Sequence, residues 1–235
     1  MTGSGSARYS SSELESMREA RNYYAWILGQ FAPYLGQRVV EVGAGTGNFA
    51  EFLLARPSIR ALVLVEPADN LLPLLARRLS DDPRVRVVRS LTEVGPSFGA
   101  DSVASVNVLE HVDDDEALLR QMHRVLAPGG RALLLVPAGP WLYGTLDAAF
   151  GHRRRYTKRS LTVRLERAGF AVIGLRHMNV PGVIGWAVAG KVLRRSALSR
   201  RAVLLYDRWV VPWAARLERR VQFPLGQSLV AIARK

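Results

Sequence analysis

Three glycines at alternate positions, Gly43, Gly45 and Gly47, follow the apolar run Val39-Val40-Glu41-Val42, and a helical pattern follows them. Nineteen residues beyond Gly47, Glu66 closes a second apolar run, Leu62-Val63-Leu64-Val65. A strand, a glycine turn, a helix and an acid-tipped strand form the half-site that grips a nucleoside. The bare backbone of the turn lies against the ligand, and the carboxylate accepts both ribose hydroxyls. A side chain in that turn would strike the ligand or demand an unfavourable φ. The G-x-G-x-G spacing lacks the third glycine position of the dinucleotide fingerprint, and Glu41 stands two residues before the first glycine. A nicotinamide cofactor makes similar demands on Glu66, so a dehydrogenase is a distant alternative.

A second constellation is Asp147-Ala148-Ala149-Phe150-Gly151-His152-Arg153-Arg154-Arg155-Tyr156. The guanidinium forks of Arg153, Arg154 and Arg155 suit a phosphate, diphosphate or carboxylate. His152 or Tyr156 has the chemistry to take a proton from an acceptor. The same segment also fits a structural lid, its arginines paired with Asp113, Asp114 and Asp115. His111, at the end of an apolar run, is a third candidate for proton transfer, with a packed or capping role as the alternative. His123 and His177 read as structural. Four histidines without H-x-x-x-H spacing give no expectation of a metal site. The absence of cysteine removes disulfides, thiolate metal sites and thiol nucleophiles, and fits a cytoplasmic protein.

The segment Glu41-Val42-Gly43-Ala44-Gly45-Thr46-Gly47 resembles the first motif, E/D-x-G-x-G-x-G, of the class I S-adenosylmethionine-dependent methyltransferases. Asn107-Val108-Leu109-Glu110-His111-Val112 and Leu126-Ala127-Pro128-Gly129-Gly130 resemble that family's fourth and following motifs, in the same order, over residues 37–137. The resemblance implies that Glu41, Gly43, Ala44, Gly45 and Gly47 line the methionine and ribose of S-adenosylmethionine. Glu66 would take the ribose hydroxyls, Pro67 would flank the adenine, and Asn107 would offer backbone contacts near the sulfonium. Where the family has an acid after the third strand this chain has Ser90-Leu91, and the Ser90 hydroxyl would accept from the adenine amino group.

Met17, Ala20, Asn22, Tyr23 and Trp26 resemble a helical cap, M-x-x-A-x-N-Y-x-x-W, of one bacterial branch of the family. There Tyr23 would hold the methionine carboxylate; an aromatic helix packed over the sheet is the alternative. Asp147 to Tyr156 resembles the D-x-x-x-G-H-x-R-R-Y signature of the same branch, placed where these enzymes build the acceptor pocket. The implied reaction is methyl transfer to a small-molecule or lipid-like acceptor carrying an anionic group held by Arg153, Arg154 and Arg155, with Trp186 as a further contact. Displacement at a sulfonium needs positioning, exclusion of water and at most one proton removal. A nucleic-acid methyltransferase is suggested by the sequence pI ≈ 11.0. Against it, no N/D-P-P-Y/F motif follows the fourth strand. A non-catalytic, membrane-associated binder of the same cofactor is the other alternative.

The elements that must position these residues follow from periodicity. An amphipathic helix is expected over 13–31. Strands are expected over 37–42, 59–66, 85–88, 100–108 and 131–136, and helices over 48–55, 71–79 and 114–126. The alternation predicts an α/β, Rossmann-like, doubly wound and mostly parallel sheet with an N-terminal helical cap. Beyond Pro137 a helix (158–168), a strand (170–177), an apolar stretch (180–193), a basic striped helix (198–221) and a last strand (227–233) form a basic C-terminal helical insertion. The expected organisation is a tail over 1–12 and one domain over 13–235, with a cofactor core at 37–137 and an acceptor lid at 138–225.

The formal net charge is +13, and residues 152–235 hold 19 Lys and Arg against 3 Asp and Glu. Such asymmetry suits an anionic partner or a membrane surface, or simply a solvated basic face. The apolar run 180–190 is shorter than the ~20 residues a span needs. With Trp209, Trp213 and the nearby arginines it fits peripheral contact with the inner face of a membrane, a cover for a greasy substrate tail, a homodimer interface, or simply a helical subdomain packed on the sheet.

Overall fold

Apolar runs without polar alternation make strands covered on both faces. Such runs become β1 (Arg38–Val42), β2 (Ala61–Val65), β4 (Ala100–Val106), β5 (Leu126–Pro137) and β7 (Ser228–Arg234); β3 (Val85–Val88) and β6 (Ala171–Met178) are less buried. The computed structural model describes residues 17–235; the expected tail 1–12 and the first turn of the expected helix, 13–16, lie outside the described residues. The strands form one seven-stranded sheet in the order β3-β2-β1-β4-β5-β7-β6. The pairs from β3 through β5 are parallel, and β7 runs antiparallel between β5 and β6. The edge positions of β3 and β6 explain their partial exposure.

The period of two along each strand sorts its residues into two cores. Val40, Val42 and Leu134 face a layer containing α5 (Asp115–Val125) and α7 (Lys158–Arg167), through Leu119, Met122, Leu161 and Leu165. Val39, Leu133 and Leu135 face the opposite layer of α1 (Arg21–Phe31), α2 (Ala50–Leu54) and α3 (Leu72–Leu79), through Ile27, Phe31, Leu53 and Leu75. Each fully buried side chain of this kind contributes about 1.5–3 kcal/mol.

The structure departs from expectation where chain punctuation is overridden by pairing. The strand expected over 131–136 reaches back to Leu126, which pairs with Ala100 across a register slip, and Gly129 takes φ 77° within the Pro128-Gly129-Gly130 turn. The single helix expected over 198–221 is two, α9 (Arg200–Trp209) and α10 (Val211–Glu218). Pro212 lacks an N–H and sits where the second helix begins, so the chain restarts there. The apolar stretch forms α8 (Val180–Ala187) and runs on into a π turn, Val188–Val192. Two short helices escape the periodicity, α4 (Leu91–Val94) and α6 (Thr145–Ala149). Asp207 of α9 is buried and accepts from the backbone N–H of Asn22 (3.1 Å) and Tyr23 (2.8 Å). An acid at the N-terminus of α1 satisfies its free donors and complements its dipole, which ties the basic helices to the cap.

Candidate active site

β2, β1 and β4 end side by side, so the glycine turn lies between Glu66 and the segment beginning at Asn107. This is the switch point of the sheet, where crossovers leave on opposite faces and a crevice opens. The turn is pinned to its neighbour: Gly43 and Ala44 donate to the Val65 carbonyl at 2.8 and 3.1 Å. Gly45 N–H donates to Glu66 Oε2 at 2.7 Å, and Ala68 N–H to Oε1 at 2.9 Å. Gly43, Gly45 and Gly47 take φ of 73°, 57° and 83°. A Cβ at Gly43 would overlap Val108 Cγ2, and one at Gly47 would lie 2.7 Å from Leu79 Cδ1. The obstacle that sequence reasoning placed in the ligand thus also lies in the packing of Val108, just past β4, and of α3 against the turn.

Two buried carboxylates face this turn. Burial raises the Glu66 carboxyl, opposed by the Ala68 and Gly45 amides. Burial, then the charge of Glu66, pushes Glu41 well above the ordinary carboxylate range. Among the described residues Glu41 Oε2 is buried with no hydrogen-bond partner. A buried charge of this kind is stable only when compensated. A ligand bearing an ammonium and a sulfonium supplies what the protein withholds, so the residues fit S-adenosylmethionine.

Pro67 and Asn107 follow the ends of β2 and β4, beside the glycine turn. Pro67 is exposed beyond Glu66, and Leu91 is buried at the start of α4. The Ser90 hydroxyl donates to Glu93 Oε1 at 3.1 Å, so an acid does stand in this region, three residues later than the family pattern places it. Asn107 is exposed at φ 52°, a conformation asparagine tolerates, and its N–H donates to the Leu135 carbonyl at 2.9 Å. Tyr23 is buried, which raises its phenol, and its hydroxyl bonds Ser228.

Beyond β5 the chain builds a second half. Asp147, fully buried, gathers four donors: His152 Nδ1 at 2.8 Å, Arg155 Nε at 2.7 Å, Trp186 Nε1 at 2.9 Å and Gly144 N–H at 3.0 Å. Burial pulls its carboxyl up, but the bonds from His152, Arg155 and Trp186 prevail and hold it below the ordinary value. An ionised Asp147 only accepts, so Nδ1 of His152 carries the hydrogen and Nε2 offers a lone pair when the ring is neutral. That Nε2 lies 3.9 Å from Glu110 Oε1. The His111 ring meets the His152 ring edge-on at 4.9 Å. Burial, then the charges of His152 and Arg153, lower His111 to about 4 against a bond to the Gly151 backbone, leaving it neutral at pH 7. One ligand atom each from Glu110, His111 and His152 lie within 4.8 Å of one another.

The arginines do not face an open acceptor pocket. Arg153 bonds the His111 carbonyl at 2.9 Å and pairs with Asp113. Arg154 bonds the Val112 and Asp113 carbonyls and pairs with Asp115 at 3.0 Å. Arg155 is buried against Asp147, with its guanidinium 4.9 Å from the Trp186 ring. Arg153 and Arg154 thus pair within the acidic run 113–115, while Arg155 pairs with Asp147 instead. Tyr156 is buried, its hydroxyl donates to Asp115 Oδ2 at 2.8 Å, and burial with that bond drives its phenol far above the ordinary range. A phenol so placed donates to Asp115 and holds its proton. Sequence reasoning missed Asp147 and Glu110, although both stood inside the quoted segments beside histidines it had singled out.

The family described as "Methyltransferase domain" matches residues 12–175. The methyltransferase YdaC of Bacillus subtilis, itself uncharacterized, is 27% identical over 158 residues, covering 66% of this chain and 83% of that protein. A ubiquinone biosynthesis O-methyltransferase of Ruegeria pomeroyi is 33% identical over 111 residues, 44% of this chain, and the match spans only 42% of that relative. In fold, the chain resembles the S-adenosylmethionine-dependent methyltransferase of Mesorhizobium loti with a TM-score of 0.62 at 16% identity, over 91% of this chain and 98% of that one. A cationic nucleoside ligand is what the paired carboxylates and glycine turn fit, and with the family match this makes the chain a member of the class I S-adenosylmethionine-dependent methyltransferases.

Proposed function

We propose that this enzyme transfers the methyl group to a hydroxyl of a small, apolar, quinone- or phenol-type acceptor that it meets at a membrane surface. The observation that carries this reading is the Asp147-held His152, whose Nε2 turns toward the end of β4, where the reacting methyl belongs. S-adenosylmethionine supplies an electrophilic methyl group on a good leaving group. Glu41, Gly43, Ala44, Gly45 and Gly47 hold its methionine and ribose side, with Tyr23 and Asn107 near the amino-acid end. Glu66 takes the ribose hydroxyls with lone pairs left over from its two amide bonds, and Pro67, Ser90 and Leu91 border the adenine. Asp147 fixes the His152 tautomer, Trp186 and Arg155 lock that carboxylate in place, and Nε2 receives the acceptor's proton.

Because Arg153, Arg154 and Arg155 are bonded within the protein, the reading drops the anionic group from the acceptor. The Ruegeria relative, named for O-methylation in ubiquinone biosynthesis, supports the acceptor class. The test is to supply methyl-labelled S-adenosylmethionine with a panel of phenols and hydroquinones, prenylated and not, beside tRNA and duplex DNA. Label is expected in a methyl ether of a hydroxyaromatic compound. Label in nucleic acid alone would overturn the reading.

The membrane component rests on one helical face. Leu205, Trp209, Trp213 and Leu217 follow at four-residue spacing along α9 and α10 and are 54%, 63%, 72% and 54% exposed. Arg201, Arg208, Arg216 and Arg220 are exposed beside them, while Asp207, Val211 and Ala214 are buried on the other side. No helix among the described residues is long and apolar enough to cross a membrane. Aromatic and aliphatic side chains rimmed by arginine match an anionic bilayer surface, each basic residue adding about 1 kcal/mol. The protein is expected to cosediment with vesicles containing phosphatidylglycerol and far less with pure phosphatidylcholine. Replacing Trp209 and Trp213 with Ser should weaken that binding at least tenfold. A stable dimer that ignores vesicles would instead assign the face to a second copy of the chain.

A further inference from the structure

We propose that a cavity between the cap helix and the outer edge of the sheet binds a small hydroxylated organic phosphate, at a site separate from the glycine crevice. Its occupancy does not depend on which acceptor is methylated.

The cavity measures about 270 Å³ and lies between the end of α1, the turn that follows it, and the strands β6 and β7. Gly174 pairs with Ile232, and Arg176 with Val230. Opposed residues of an antiparallel pair share a face. Val230 and Ile232 belong to the core layer of α1, so Gly174 and Arg176 face that layer too. Gly29 of α1 lines the same cavity. Backbone conformation demands neither glycine, since neither has a positive φ. Packing demands neither as well. A Cβ at Gly29 would meet nothing within 4 Å, and one at Gly174 would touch Ile232 Cγ1 at an ordinary 3.5 Å. Gly43 and Gly47, by contrast, are required on both counts. Glycine weakens a helix interior and a strand interior alike, and in a strand it often marks the close approach of a ligand. Two glycines lining one cavity therefore keep space open at a cost to stability.

The polar lining says what the space suits. Gln30 is 8% exposed, and its Oε1 is buried with no hydrogen-bond partner among the described residues. A buried amide oxygen without a donor is costly, and a ligand hydroxyl satisfies it. Three donor side chains join it: the Arg176 guanidinium, the Tyr34 phenol and the Gln222 amide. Among the described residues the Arg176 side chain makes no hydrogen bond or ion pair. Burial raises the Glu218 carboxyl, opposed by the Val180 and Asn179 amides, which it accepts at 2.8 and 2.9 Å, and last by the charge of Arg176. Arg176 thus acts on that acid only from a distance and keeps its N–H fork for a ligand. A guanidinium holds phosphate through paired N–H bonds. The tetrahedral spread of phosphate oxygens serves the phenol and the amide as well, which the two coplanar oxygens of a carboxylate do less well. Ordinary small-molecule pockets run from about 300 to 1,000 Å³, so the occupant is of the size of a glycerol phosphate. Its phosphate sits on Arg176 and a hydroxyl donates to Gln30 Oε1.

Such a group comes either as a free metabolite or as the headgroup of phosphatidylglycerol. The second has a route to the cavity. Gln222 follows α10 directly after the exposed Val221, at the end of the helical face that carries Trp209, Trp213 and Leu217.

The test titrates the full chain with sn-glycerol 3-phosphate by calorimetry, and with vesicles of phosphatidylglycerol beside vesicles of phosphatidylserine at equal charge. Saturable binding of the soluble phosphate at one per chain assigns the site to a free metabolite. Binding of phosphatidylglycerol vesicles alone, with a preference over phosphatidylserine that Arg176→Gln erases, assigns it to the headgroup. In either case Arg176→Gln and Gln30→Met should each weaken binding at least tenfold. Gly29→Leu, which fills the cavity from a helical position that leucine suits, should abolish binding and raise the melting temperature. Should that variant not fold, the Arg176 and Gln30 variants decide. Arg159→Gln, on α7 across the sheet, should leave binding unchanged. S-adenosylmethionine affinity is measured in every variant and is expected to stay within about twofold of the unaltered chain, which separates this site from the cofactor site. No saturable binding of the soluble phosphate together with no preference for phosphatidylglycerol overturns the proposal, as does equal affinity in the folded Arg176→Gln and Gln30→Met proteins.

Discussion

Glu66→Ala is expected to weaken S-adenosylmethionine binding at least tenfold, about 1.4 kcal/mol, in a chain that still folds. The carboxylate serves two purposes at once. It accepts the Gly45 and Ala68 amides, which shapes the turn, and in the proposed cofactor site its remaining lone pairs accept the ribose hydroxyls. A hydrogen bond to a charged group contributes about 1.5–3 kcal/mol, so losing two such bonds and the turn's anchor makes tenfold a lower bound. Glu66→Gln should fall between the two, because an amide oxygen accepts but its NH₂ repels the incoming amides. Calorimetry with S-adenosylmethionine and its demethylated product measures this, with thermal unfolding as the folding control. The affinity should also depend on pH. Burial and Glu66 raise Glu41, so the free protein keeps a proton there above the ordinary value of 4.5. A cationic ligand favours the ionised form, so binding expels that proton and tightens as pH rises through the raised value. Unchanged affinity in a folded Glu66→Ala protein would falsify the cofactor site.

His152→Ala should lower turnover at least a hundredfold, about 2.7 kcal/mol of transition-state stabilisation, while S-adenosylmethionine affinity stays within about twofold. The ring is held from behind by Asp147 and turned toward the end of β4. Removing it deletes the proton acceptor without touching the glycine turn. Asp147→Asn tests the support. An asparagine still accepts from one donor but confronts the others with an NH₂, so His152 loses its fixed tautomer, and an intermediate loss of kcat is expected. Single-turnover kinetics with saturating cofactor separate this from weaker acceptor binding. If His152→Ala keeps full kcat with a hydroxyaromatic acceptor, the proton leaves by another route and the assignment fails.

The cofactor half of the site was legible because it is local. The glycine spacing, Glu41 and Glu66 lie within a single strand–turn–helix–strand unit, and short crossovers of fixed handedness leave one arrangement for it. The same holds for the sheet. Runs such as Leu62 to Val65 and Arg131 to Val136 announce strands covered on both faces wherever they sit. Boundaries were less legible. The Pro128-Gly129-Gly130 turn reads as a stop, yet pairing between Leu126 and Ala100 carries the strand past it.

By itself the sequence determined the α/β class, the order of its elements, the nucleoside crevice and the basic character of the C-terminal third, since each depends on composition or on neighbours a few residues apart. Tertiary structure alone decided what the acceptor half is. Arg153 and Arg154 meet partners 41–42 residues away, and Asp147 meets Trp186 across 39 residues. A guanidinium that binds substrate and one that braces a loop read identically in the chain. Only the folded position of the opposing carboxylates tells them apart, because charge pairing acts over a few ångströms of space and leaves no periodicity in the chain.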